Sequence, residues 1–242
     1  MRSDSVIFGA TVRGKSHARE GLPNQDAWSH HHWAFGSCIV ISDGLGSRKE
    51  ARIGAQYACE AVIKVLKQIS CEERYPIESI ATKIEAVWAE RLSPISVDDA
   101  LATCAFAMVS HEGRCLLGSI GDSLVTAQLG DEFKILEREI EPPFGNITEC
   151  LGMHRSSDHW ILEEFQCRDQ DLTVVLATDG IAGDLQQDKL SQWSRWVFEE
   201  FKDIEPSIRW RKLARELRDW PVPGSHDDKT LAVLHQGQHA SR

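Results

Sequence analysis

Apolar runs in this 242-residue chain repeatedly stop at an acidic residue, twice followed at once by glycine. CIVISDG closes at Asp43-Gly44 and VVLATDG at Asp179-Gly180, while Asp26 stands in LPNQDAW, Asp122 in SIGDSL, and Asp227 with Asp228 in GSHDDKTL. A strand that ends in Asp-Gly puts a carboxylate at the rim of its sheet, and glycine lets the backbone turn tightly enough for a carbonyl to face the same ligand. Each of these aspartates, taken alone, reads as a turn signal. Several carboxylates gathered at one rim repel one another and raise one another's pKa, a penalty that a divalent cation removes. An all-oxygen donor set points to Mg²⁺ or Mn²⁺ rather than zinc.

The runs between these marks set the fold class. Short β-branched or apolar segments predict strands at Val6–Val12, Phe35–Ser42, Leu101–Val109, Arg114–Ile120, Leu124–Leu129, Phe133–Leu136, His159–Gln166, Leu172–Ala177 and Thr230–His235. Apolar spacing near four predicts helices over Lys49–Gln68, Pro76–Leu92, Leu185–Phe201 and Pro206–Trp220. Pro142–Ser157 reads as loop. Tight turns such as HEG, GDS and GDE between neighbouring strands argue for antiparallel pairing. Strands, two helices, more strands, then helices and a last strand describe a layered α+β domain rather than a βαβ repeat. No linker or internal repeat divides the chain, so one domain over residues 1–242 is expected.

Composition excludes several alternatives. Lys plus Arg is 27 against 37 for Asp plus Glu, a net charge of −10, which argues against a surface that grips nucleic acid throughout. No apolar run reaches the length of a membrane span, and the opening MRSDSVIFGATVRG lacks a signal-peptide pattern. A soluble, cytoplasmic protein without membrane or nucleic-acid partners is the expectation. The seven cysteines are scattered and never form C-x-x-C, so neither a disulfide framework nor a cysteine zinc site is expected.

The acidic motifs in chain order, N-Q-D, D-G-x-G-S, G-D-S, A-T-D-G and S-x-D-D-x-T, resemble those of the PPM-type, or type-2C, metal-dependent Ser/Thr protein phosphatases, in their bacterial form. The match runs from about Gly9 to Leu234. The resemblance implies a central antiparallel β-sandwich flanked by helix pairs, a four-layer architecture with metals at one end. It implies two Mn²⁺ or Mg²⁺ ions, with room for a third, and hydrolysis of phosphoserine and phosphothreonine by an activated water without a phosphoenzyme. Phosphorylated proteins would be the substrates, a cognate Ser/Thr kinase the partner, and a monomer the expected state.

Carried over by position, Asp43 resembles the aspartate that bridges both metals and Gly44 the residue whose carbonyl binds one. Asp179 resembles a later ligand, and so does either Asp227 or Asp228, with Asp227 preferred because it precedes the Asn-like position of the motif. Asp26 matches the acidic residue that holds metal-bound water, and Asp122 the position linked to a third ion. Two departures bear on mechanism. Leu45 stands where many members have a histidine assigned as general acid, and the phosphate-binding arginine is not at its usual distance before Asp26. Arg19 is the preferred substitute, with His17 and Arg13 nearby. Leu45 and the altered spacing leave open a pseudophosphatase that binds a phosphoprotein or kinase without turnover, and a phosphatase of small esters would use the same site. Trp193, Trp196, Trp210 and Trp220 read as helix-packing anchors. The basic run Arg209–Arg218 reads as a solvated helix face that a protein partner could use.

Overall fold

Alternation along two strands explains how the layers stack. In Gly36–Asp43, Cys38 and Val40 pack toward one side while Ile39 and Ile41 pack toward the other, and all four are fully buried. A strand buried on both faces must lie inside a stack of layers. The same holds for Lys229–Gln236, where Leu231 and Val233 face helices and Ala232 and Leu234 face the opposite sheet.

The computed structural model describes residues 5–69, 75–137, 148–153 and 158–238. In chain order it contains β1 (Val6–Val12), α1 (Lys15–Glu20), β2 (Asp26–Trp33), β3 (Gly36–Asp43), α2 (Ala51–Ile69), α3 (Glu78–Leu92), β4 (Cys104–Ser110), β5 (Arg114–Ile120), β6 (Leu124–Leu129) and β7 (Glu132–Ile135). There follow β8 (Ile161–Gln166), β9 (Leu172–Ala177), α4 (Asp179–Ala182), α5 (Leu190–Phe201), α6 (Pro206–Arg218) and β10 (Lys229–Gln236). One sheet has the order β1-β10-β9-β6-β7 and the other β2-β3-β4-β5-β8, with every pairing antiparallel. Helices α2 and α3 cover the second sheet, and α5 and α6 cover the first. The fold is therefore α+β, a four-layer sandwich as expected.

The outer helices are held by apolar stripes. On α2, Ala55, Ala58, Val62, Val65, Leu66 and Ile69 are buried against β3, β4 and α3. Trp88 of α3 is buried and donates its indole N–H to the Gly54 carbonyl at 3.0 Å, so a large aromatic adds a polar tie where the helices meet. The six described cysteines are all buried and free, as the scatter of the sequence predicts; Cys71 lies outside the described residues.

Several expectations need correction. β2 was not expected, because DAWSHHHW carries little apolar alternation; its partner β3 supplies the pairing through a full register from Asp26–Asp43 to Trp33–Gly36. The helix expected from Leu185 begins at Leu190, after a short 3₁₀ turn at Gln187–Lys189. The strand expected from Leu101 begins at Cys104, because Ala102 instead bridges Gly44 and Leu151. Of the expected loop 142–157, only residues 148–153 are described. Trp196 and Trp210 are 48% and 51% exposed and so are not buried anchors. Among the described residues, no helix is long and apolar enough to cross a membrane.

Candidate active site

The register of β2 on β3 sets Asp26 directly opposite Asp43, so two carboxylates meet at the end of one sheet. The other sheet brings Asp179 to the same place: β9 ends at Ala177, and Thr178 leads into the helical turn α4 that opens with Asp179. Asp179 thus starts a helix rather than simply ending a strand. The Asp43 carboxylate lies within hydrogen-bonding reach of both Asp26 and Asp179. Asp227 lines an open cleft of about 400 Å³ with Asp179, Gly180, Asp184, Ser16 and His226.

Asp26 is the most enclosed of the group. Its Oδ2 accepts from the hydroxyls of Thr178 at 2.8 Å and Thr230 at 2.7 Å, the first just past the end of β9 and the second on β10. Burial pushes its pKa up to about 7 despite the two threonines, which hold it down. Burial likewise pushes the Asp43 carboxyl up, and the charges of Asp26 and Asp179 push it further. Asp179 is raised by burial and then by Asp122. Carboxylates this close are compatible only with shared protons or with a cation between them.

The two aspartates of the last motif have separate tasks. Asp228 is buried, and its Oδ1 accepts from Gly14 N at 2.6 Å while its Oδ2 accepts from Gln25 N at 2.6 Å. His17 Nδ1 also meets Oδ2, at 2.9 Å. Asp228 is occupied as a clamp on the segment from residue 14 to residue 25, and Asp227 remains in the cleft beside Asp179. Gly14 is required there, since a Cβ would run into the backbone of His226 and Asp227. Removal of the clamp has a defined cost. Asp228→Ala strands two buried N–H groups and is expected to destabilise the fold by about 3–5 kcal/mol. Asp228→Asn should lose less, because the amide keeps an acceptor oxygen. Urea denaturation of both variants measures this, and equal losses would contradict it.

The remaining expected residues divide. Asp122 is exposed in the β5–β6 turn, accepts from Thr148 Oγ1 at 2.9 Å and acts electrostatically on Asp179. Gly44 lies against α2, where a Cβ would collide with the Ala51 carbonyl, and it bridges to Ala102. Arg19 is exposed on α1 and is not among the residues lining the acidic cleft. His17 is taken by Asp228, and Arg13 donates to the Leu22 carbonyl at 3.2 Å.

Arg48 belongs to no motif of the sequence. It lies in the turn that leaves Gly44, with its N–H on the Leu45 carbonyl at 2.8 Å, and its Nε is buried with no partner among the described residues. Bridges from Gly44 to Ala102 and from Ala102 to Leu151 bring that turn beside Cys150. The Cys150 thiol is pushed up to about 12 by burial; Asp122 and Asp43 add to the rise and Arg48 opposes it, so the guanidinium and both carboxylates act electrostatically on the same thiol. The signal available in the sequence was position alone, five residues beyond Asp43.

The expected donors, the carboxylates of Asp43, Asp179 and Asp227 with the Gly44 carbonyl, are all oxygen and fit hard divalent ions, while His226 also lines the cleft. Among the described residues, no group of three or more His, Cys, Asp or Glu side chains is arranged to hold a metal ion. An open set of this kind suits Mg²⁺, which keeps several waters and takes only one or two carboxylates.

Residues 13–220 match the family model described as Protein phosphatase 2C. The chain belongs to the protein phosphatase 2C family. Against curated protein sequences this type-2C chain has no significant match. Among solved structures it is similar to a bacterial serine phosphatase, with a TM-score of 0.64 at 16% identity over 99% of this chain and 100% of the other. It is similar to RsbX in complex with magnesium, with a TM-score of 0.58 at 12% identity over 96% and 94% of the two chains. The phosphatase domain and regulatory fragment of SpoIIE from Bacillus subtilis gives 0.61 at 15% identity; 98% of this type-2C chain is covered but only 64% of that one.

Proposed function

We propose that this type-2C chain is a metal-dependent phosphatase of phosphoserine and phosphothreonine in proteins. The observation that carries the reading is the convergence of Asp26 and Asp179, from the two sheets, into hydrogen-bonding reach of Asp43. When bound, a pair of Mg²⁺ or Mn²⁺ ions would supply Lewis acidity, lowering the pKa of a water and neutralising charge on the phosphoryl oxygens. Asp43, Asp179, Asp227 and the Gly44 carbonyl would hold the ions, with Asp122 available to a third.

The chain's own groups divide the rest of the work. Asp26, held by Thr178 and Thr230, would accept a hydrogen bond from the attacking water and orient it. Arg48, with an unpartnered Nε, is the group we assign to the phosphoryl oxygens in place of Arg19. A guanidinium gives two parallel charge-assisted donors, the geometry a phosphate accepts. Phosphorylated proteins and a kinase that makes them follow as partners. Leu45 supports a second reading, a binding module without turnover, because the family's histidine is missing there.

Initial rates on a phosphothreonine peptide and on p-nitrophenyl phosphate, with Mn²⁺, with Mg²⁺ and with EDTA, separate the two. Turnover with metal and none with EDTA is expected. Folded protein inactive with either metal would leave the binding module. In Arg48→Ala, KM should rise by about 10- to 100-fold with a smaller change in kcat, partly restored by Arg48→Lys. An unchanged KM would remove Arg48 from the phosphate site.

A further inference from the structure

The edge of the first sheet beside α6 carries features that the phosphatase chemistry does not use. Among the described strands, β1 pairs with β10 on one side and has no strand on the other. An open edge presents a row of backbone donors and acceptors and is normally covered or blunted. Here it forms the floor of a groove of about 670 Å³ that runs along Gly9–Arg13. We propose that this groove docks an extended, acidic segment of the phosphoprotein substrate, which adds to β1 as a further strand.

The walls fit that occupant. On one side Trp28 of β2 lies directly on the β1 backbone, where a Cβ on Gly9 would stand 2.8 Å from the indole ring. On the other, Trp210, Ala214 and Arg218 occupy one face of α6 at successive turns. From Trp210 to Arg218 is about 12 Å along a helix axis, and the four residue steps of extended chain from Gly9 to Arg13 cover about 13 Å. The two sides therefore run alongside each other for the same length. Half of the Trp210 surface is exposed, and the Arg211 guanidinium lies over its ring, 5.3 Å from the centroid.

Charge and direction select an acidic segment and connect it to the site. Arg209 lies over Phe8 at 5.2 Å, which sets the start of α6 beside the early part of β1 and leaves Arg218 toward Arg13. Both guanidiniums thus stand at the groove end nearer the acidic cleft. Arg13 is followed at once by Gly14, which packs on the backbone of Asp227 and bonds to Asp228. The lining contains these two arginines and no carboxylate, in a chain whose net charge is −10. Main-chain pairing supplies affinity in such strand addition, and side-chain pockets supply selectivity.

This inference rests on the phosphatase reading for the identity of the occupant, and its test keeps the two apart. Three phosphothreonine peptides are compared with the full-length, Mg²⁺-loaded protein: a short one, one extended on its N-terminal side with Asp and Glu, and one extended on its C-terminal side. One extended peptide should show about 10-fold higher kcat/KM than the short one, a gain that is lost in Arg218→Glu and in Trp210→Ala. Turnover of p-nitrophenyl phosphate should be unchanged in both variants. The unphosphorylated acidic extension alone should slow hydrogen exchange at β1 amides of the wild-type protein, a readout independent of turnover. Equal cleavage of all three peptides, or a gain that survives both variants, would overturn the groove as a docking site. So would equal protection of β1 by a single-stranded oligonucleotide, which would make the groove a general polyanion site. Loss of all turnover with β1 protection retained would count against the phosphatase reading alone.

Discussion

Asp43→Ala is expected to lower metal-dependent turnover by at least about 10³-fold, because it removes the carboxylate shared by the whole cluster and the ions it would hold. Asp43 lies at the end of β3, opposite Asp26 and within hydrogen-bonding reach of Asp179, so no neighbour can take over its position. The variant should nevertheless fold. Its carboxyl is held well above the usual range by burial and by Asp26 and Asp179, so in the absence of metal it opposes stability at neutral pH. The metal-free variant should therefore melt no lower than metal-free wild type at pH 8. Turnover within 10-fold of wild type would refute the assignment of Asp43 to the metal site.

The second large effect concerns pH and metal together. In EDTA, the melting temperature is expected to fall by about 5 °C or more between pH 5 and pH 8. Asp26 titrates near 7 in the folded protein against 3.8 when unperturbed. Between these values the folded state holds a proton that the unfolded chain has released, so stability falls as pH rises through that window. Asp43 and Asp179 are raised as well and act in the same direction. Saturating Mg²⁺ binds the deprotonated carboxylates, adding roughly 3 kcal/mol at 100 times its Kd, and should flatten the trend. A melting temperature that climbs with pH in EDTA, or an identical slope with and without Mg²⁺, would refute this account.

Much of the scaffold was legible because burial on both faces leaves unbroken apolar runs. Val6–Val12, Arg114–Ile120, Leu124–Leu129 and Leu172–Ala177 are strands over the same residues that their patterns predict. β2 was not legible: His30, His31 and His32 are exposed, and the strand forms because β3 offers it an edge. α1 has six residues and no buried side chain, so no apolar stripe could announce it. Asp-Gly punctuation marked Asp43 and Asp179 as rim residues, but the opposition of Asp26 and Asp43 is a matter of register between strands. The division of work between Asp227 and Asp228 depends on Gly14 and Gln25, more than 200 residues away. Arg48 was not legible for the same reason, since the turn that carries it is set by the bridges from Gly44 to Ala102 and from Ala102 to Leu151.

The Asp228 clamp has a consequence for how the protein folds. Its carboxylate lies 214 residues from Gly14 and 203 from Gln25, the two backbone groups it fastens. β1 likewise pairs with β10, its only neighbour among the described strands. Contacts of such sequence separation carry a large loop-closure cost and are slow to form. The clamp and the edge strand therefore order together when β10 joins its sheet, so a chain cut before Asp227 would lack the acidic cleft outright rather than carry a weakened one.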